Sequence, residues 1–243
     1  LSFIIEEGLP ISELERIVNS IHQAADEAEV KIITGDTKVV NQGTADKMFI
    51  NTSGVGIVPP GVDISGANAM PGDKVILSGN LGDHGIAVLS QRQGLELNVP
   101  IESDCAPLNK LVAEMLATSA DLHCLRDPTR GGLATTLNEF AKQSQVGITI
   151  NEASLPVNEA VLAACELLGF DPLYVANEGK LVAVVAPSDA TKVLAKMRQN
   201  QYGTEAAIIG EVVREHPGKV IMKTCLGSSR IVDMLVGELL PRI

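Results

Sequence analysis

The chain has 243 residues, 45% hydrophobic but only 2% aromatic and without Trp, so there is room for one large domain or two modest ones, with a core of Ala, Val, Ile, Leu and Met. Thirty acidic residues against 19 basic give a net charge of −11, a field that repels nucleic acid and anionic membrane surfaces and sets both aside as partners. Four cysteines (Cys105, Cys124, Cys165, Cys225) stand singly, without C-x-x-C spacing, which argues against a zinc site or a disulfide framework and for reduced thiols in the cytoplasm. No signal peptide and no membrane-length apolar run is present.

In chain order, "LSFIIEEGLP" reads as a strand leaving a core; it lacks a methionine, and an N-terminal truncation is expected. Ser12 and Glu15 form a capping-box pattern. Leu14, Ile17, Val18, Ile21, Ala25 and Ala28 then trace one helix face. A strand "VKIITG" follows, then "DTKVV" and a second strand, "KMFINTSGVGIV". The run 59–73, with three prolines and three glycines, is the best candidate boundary. Beyond it the pattern predicts strand 74–79, helices 84–93, 107–120 and 130–143, strand 146–151 and helix 158–168. Strand 180–186, a short helix over 188–199, strand 206–213 and two short strands near 219–223 and 230–236 complete the chain. The runs "KIITG", "KVILSG", "LVAVVA" and "AAIIGEVV" suit the buried aliphatic strands of α/β layers. Strands and helices alternate on both sides of the boundary, so the fold class is α/β (α+β) in two lobes.

Four polar loops carry candidate chemistry. In "TGDTKVV", Asp36 is suited to Mg²⁺, Thr37 to a phosphate oxygen and Lys38 to its charge, although the same letters also make a plain turn, as "GDK" does at 72–74. In "NLGDHG", Asp83 is suited to cap a helix and His84 falls in its first turn, where a neutral imidazole can accept a proton or simply sit at the surface. In "RDPTRGG", Asp127 or Thr129 can cap the next helix, and Gly131 and Gly132 leave its N-terminus bare beside Arg130. Two glycines cost about 1 kcal/mol each inside a helix, so either close packing or close approach of an anion must require them. In "ANEGKLVAVVAP", Asn177 and Glu178 precede an aliphatic strand, where burial raises a carboxylate's pKa; an ordinary polar loop has the same letters. There is no Walker A sequence.

Taken together and in this order, "TGDTKVV", "GDHG", "RDPTRGG" and "NEGK" closely resemble the HypE family of hydrogenase maturation proteins. That family lies in the ATP-binding superfamily of aminoimidazole ribonucleotide synthetase and selenophosphate synthetase, and "LSFIIEEGLP" and "MLVGELLPRI" extend the resemblance over the whole chain. The resemblance implies a two-lobed fold with mixed sheets flanked by helices. Residues 1–62 would be the remaining part of an ATP-binding and dimerisation domain, 63–213 a C-terminal α/β domain, and 214–243 a tail. It also implies an ATP- and Mg²⁺-dependent carbamoyl dehydratase, a cytoplasmic homodimer when full length. Such an enzyme receives a carbamoyl group on a C-terminal cysteine from the carbamoyltransferase HypF, converts it to a thiocyanate, and passes cyanide to a HypC–HypD complex. Asp36 would serve the metal; Thr37, Lys38, Asp127, Thr129, Arg130 and Asn177 the nucleotide and phosphates; His84 and Glu178 would be the acid–base pair.

Two departures accompany the resemblance. HypE-like chains end Pro-Arg-Ile-Cys, whereas the last letters here are Pro241, Arg242 and Ile243, and the glycine-rich and acidic segments that normally precede are not among these residues. The fragment is therefore expected to keep the chemical loops without turning over alone. Selenophosphate synthetase-like chemistry and a non-catalytic nucleotide-binding scaffold are the competing readings.

Overall fold

The computed structural model describes residues 1–94, 100–119 and 121–237; the terminal "LLPRI" letters lie outside the described residues. The chain divides into two units, Leu1–Gly61 and Val62–Ile243.

In the first unit, β1 (Ser2–Glu6), α1 (Ile11–Glu27), β2 (Asp36–Val40) and β3 (Met48–Asn51) make a three-stranded sheet of order β2-β1-β3 with one helix. Strand β1 runs parallel to β2 and antiparallel to β3, and α1 supplies the crossover that a parallel pair needs. The expected apolar stripe of α1 is its half-buried face, Val18 excepted. The capping box does not form: Pro10 is the N-cap, Ser12 is already the second helical residue, and no side chain caps the helix. Nor is "VKIITG" a strand. The partners of β1 run from Asp36 to Val40, so the aliphatic letters fall ahead of the paired segment, and Ile33 is 88% exposed. The strand expected over 47–58 is confined to Met48–Asn51, which pairs with Ser2–Ile5; Val55 and Ile57 beyond it are exposed.

The second unit holds β4 (Lys74–Leu77), α2 (Asp83–Gln93), α3 (Asn109–Thr118), β5 (Leu122–Arg126), α4 (Gly132–Ser144), β6 (Gly147–Asn151), α5 (Glu159–Leu168), β7 (Val182–Val185), α6 (Ala190–Met197), β8 (Ala207–Val213), β9 (Val220–Lys223) and β10 (Ser229–Val232). Its seven strands lie in the order β10-β9-β6-β8-β4-β7-β5; only β6 and β9 pair in parallel. Three of the four aliphatic runs are the central strands β8, β4 and β7, buried because helices cover both faces. Val75, Leu77, Val182 and Val184 face Leu133, Leu137 and Phe140 of α4. Ile76, Ala183 and Val185 face Leu111 and Met115 of α3 and Val193 and Met197 of α6. Each such aliphatic side chain contributes roughly 1.5–3 kcal/mol on full burial. Strand β5, missed in the sequence, sits at the sheet edge and alternates apolar Leu122 and Cys124 with less buried His123 and Leu125. A smaller cluster of Ile86, Val161, Ala164, Cys165 and Val175 locks α2 against α5, and a 3₁₀ turn over Pro172–Tyr174 feeds the chain back between α2 and α4.

Candidate active site

Three of the four polar loops belong to the second unit, and Asn177 ties them together. Its side chain is fully buried: Oδ1 accepts the Gly82 N–H at 2.8 Å, while Nδ2 donates to the carbonyls of Pro128 and Val175, both at 3.0 Å. The Asn177 N–H also reaches the Pro128 carbonyl, and the Gly85 N–H reaches that of Ala176. The Asn177 side chain, expected at the nucleotide, therefore spends its polar atoms on the protein's own backbone and is the knot between the loops.

At the mouth of α2, Gly82 is the N-cap in the left-handed region and Asp83 is the first helical residue, so the expected cap is displaced by one. Asp83 instead accepts from Asn158 at 2.6 Å; burial raises its carboxyl pKa against the opposing pull of that hydrogen bond and of Lys180. His84 is only 6% exposed rather than a surface residue. Its Nδ1 lies 2.7 Å from Ser103 Oγ, and its buried Nε2 has no hydrogen-bond partner among the described residues.

Glu178 leaves the Asn177 knot towards solvent, backed by its N–H, which donates to Asp104 Oδ1 at 3.0 Å. Partial burial raises its pKa above the ordinary 4.5; the neighbouring His84 charge opposes this, Asp104 and Asp127 add to it, and Arg130 opposes it again. Glu178 therefore shares one electrostatic neighbourhood with His84 and with Asp127 and Arg130 of "RDPTRGG". Asp127 and Arg130 are exposed, and Thr129 Oγ1 donates to Asp127 Oδ2 at 3.0 Å.

The helix cap in "RDPTRGG" is Gly131 at φ 70°, with no help from Asp127 or Thr129. Gly132, at φ 60°, is needed for close packing: a Cβ there would stand 2.5 Å from the Leu173 carbonyl oxygen and 2.7 Å from that of Val175. Gly132 thus admits the protein's own backbone, while a Cβ on Gly131 would strike the Thr135 side chain.

Asp36, Thr37 and Lys38 lie in the first unit, on edge strand β2, exposed, with Asp36 Oδ1 accepting the Thr37 N–H at 2.8 Å. They start a strand rather than form a turn. Strand alternation puts Asp36 and Lys38 on one face and Thr37 on the other.

The sequence reading missed the segment 100–106. Asp104 Oδ1 accepts from Glu178 and Gly179, its Oδ2 lies 3.1 Å from Lys180 Nζ, and a Cβ on Gly179 would strike the Asp104 carbonyl at 1.6 Å. Ser103, Asp104 and Cys105, with Asp83, Asn158 and Lys180, line a cavity of about 700 Å³. The available signal was the polar cluster "ESDC" between Pro100 and Pro107, whose cysteine had been read alone.

Comparison with known proteins agrees with this architecture. Residues 1–58 match the N-terminal domain model and residues 70–223 the C-terminal domain model of the AIR synthase related proteins. Carbamoyl dehydratase HypE of Cupriavidus necator is 57% identical over 242 residues, covering 100% of this chain and 69% of that protein. A crystal structure of hydrogenase maturation protein HypE in complex with ATP superposes with a TM-score of 0.94 at 49% identity, over 99% of this chain and 73% of that one. A HypE–HypF complex gives 0.93 at 50% identity, over 96% and 76%. With identity of this order running through both units, the chain belongs to the HypE family of carbamoyl dehydratases, within the AIR synthase related proteins.

Proposed function

We propose that this chain carries the catalytic loops of an ATP-dependent carbamoyl dehydratase, which converts an S-carbamoylated cysteine to a thiocyanate during hydrogenase maturation. The observation that carries the reading is the joining of the His84 loop, the "RDPTRGG" loop and Glu178 through the buried Asn177. Hydroxide is a poor leaving group, so the amide oxygen must first become a phosphate ester. The carbamoyl oxygen attacks the γ-phosphorus of ATP, ADP departs, two N–H protons are removed, the C–O bond breaks and phosphate leaves the nitrile.

In this scheme Glu178 and His84 take the protons. A carboxylate already made more basic by burial, beside a buried imidazole with a free ring nitrogen, suits that task. Arg130 is the cation for the transferring phosphate, and Asp127 and Thr129 line the same wall. Lys38 and Thr37 would hold nucleotide phosphates and Asp36 a Mg²⁺. An exposed carboxylate with one oxygen engaged locally fits a cation held mainly by the nucleotide, as Mg²⁺ usually is. The family resemblance further supports HypF as carbamoyl donor, a HypC–HypD complex as cyanide acceptor, a homodimer and a cytoplasmic location.

Mass measurement of the carbamoylated cysteine peptide tests the reading, with full-length protein before and after ATP. Loss of one water in the native protein is expected, with Glu178→Gln slowing it at least a hundredfold while ATP still binds. Equal dehydration by Glu178→Gln would sink the acid–base assignment. No mass change in the native carbamoylated protein would favour a nucleotide-binding scaffold.

A further inference from the structure

The Ser103 contact at Nδ1 and the burial of Nε2 together decide which nitrogen of His84 carries the proton. Three groups surround its hydroxyl oxygen: His84 Nδ1 at 2.7 Å, the Cys105 backbone N–H at 3.2 Å and Cys105 Sγ at 3.2 Å. A serine hydroxyl has one proton to give and two lone pairs to fill. The Cys105 N–H can only donate, so it fills one lone pair. If the hydroxyl proton goes to Cys105 Sγ, the second lone pair is left for a proton from His84 Nδ1, and the buried Nε2 keeps a lone pair rather than a proton.

In the alternative arrangement the hydroxyl proton goes to Nδ1, the Cys105 thiol donates weakly to the remaining serine lone pair, and the imidazole N–H moves to Nε2. That nitrogen is buried and has no hydrogen-bond partner among the described residues. An orphaned buried donor is the rarer and less tolerated of the two defects. Cys105 Sγ also lies 3.6 Å from His84 Nδ1, within reach of a weak sulfur hydrogen bond, but the serine contact at 2.7 Å is the closer and stronger of the two.

We propose that Ser103 is a positioning residue that holds neutral His84 as the Nδ1–H tautomer, aiming a basic Nε2 lone pair at the reacting group, with Cys105 as the terminal acceptor of the relay. This rests on the acid–base reading of His84 above. It gives the segment 100–106 two tasks on opposite sides of Asn177: Asp104 fixes the backbone of Glu178, and Ser103 fixes the ring of His84.

The test is ¹⁵N NMR of full-length protein labelled at histidine, with His84→Gln identifying the signal among the four histidines, followed by single-turnover rates. At a pH where the ring is neutral, the native protein is expected to show a protonated Nδ1 and an unprotonated Nε2. Ser103→Ala is expected to move the proton towards Nε2 and to slow dehydration about tenfold, with the KM for ATP unchanged, and Ser103→Thr to restore both readouts. An Nε2–H signal in native protein overturns the tautomer assignment, and a native rate in Ser103→Ala overturns the positioning role. Native turnover by His84→Gln would instead remove His84 from the chemistry, a failure of the functional reading that the NMR result does not share.

Discussion

Helices α2 and α4 each begin on a glycine in the left-handed region, Gly82 at φ 84° and Gly131 at φ 70°, and neither is capped by a side chain. Both mouths are pressed against the same segment, 173–177, and both are held to it by Asn177. They differ in what the glycines meet. At α2 a Cβ on Gly82 would touch a methyl of the buried Val161 at 2.9 Å, a side chain rather than main chain. At α4 a Cβ on Gly132 would strike two backbone carbonyls, which have nowhere to go. A glycine at a helix mouth therefore does not by itself signal a ligand: at Gly132 the absent side chain serves packing against main chain.

The largest effect follows from that contrast. Gly132→Ala combines a positive φ with overlap against main chain and is expected to cost roughly 3–4 kcal/mol. Gly82→Ala should cost about 1–2 kcal/mol, mostly from φ. Denaturant unfolding measures both. Equal losses would remove the distinction between the mouths, and a smaller loss at Gly132 would reopen the idea that its space is kept for an anion.

Next in size is Asn177→Ala, which strikes both mouths at once. It leaves the buried Gly82 N–H and the Pro128 carbonyl without their side-chain partner, an expected cost of about 2–3 kcal/mol. Amide exchange at Gly82 should accelerate together with exchange around Asn177 itself. Acceleration at one mouth only would show that Asn177 does not couple the two.

The same comparison shows what the sequence could and could not reveal. His84, Asp127, Arg130 and Glu178 stood out because ionisable residues beside glycine at the start of a helix or strand are unusual locally, and a short window is enough to see them. Ser103 and Asp104 were invisible because their partners lie 19 and 74 positions away and no motif links them. The six α-helices among the described residues were legible because one apolar face repeats within a few turns. Strand reading was weaker for a physical reason: "KIITG" and "LVAVVA" have the same character, but pairing depends on what a neighbouring strand offers. Edge strand β5, with only half its residues strongly apolar, was passed over even though it delivers Asp127 to the site. The backbone bonds of the Asn177 amide were not legible either, because a buried amide and a ligand-binding amide are the same letter.

The smallest and finest effect is the pH response of Glu178, on which both mouths act. Burial raises its pKa above the ordinary 4.5; His84 of the α2 mouth and Arg130 of the α4 mouth lower it, while Asp104 and Asp127 raise it. A raised folded-state pKa means that the folded protein holds this proton more tightly than the unfolded chain does. The associated stability is therefore complete below 4.5 and is lost as pH climbs through the folded value. Glu178→Gln should flatten stability over that window, and only slightly, because the side chain remains largely in water. Activity runs the opposite way: a base must be ionised, so the acid limb of the dehydration rate should lie above 4.5. Arg130→Ala should move that limb to higher pH, and Asp127→Asn to lower pH. If neither substitution moves the limb, the α4 mouth is electrostatically silent at the base, and the α2 mouth alone tunes it.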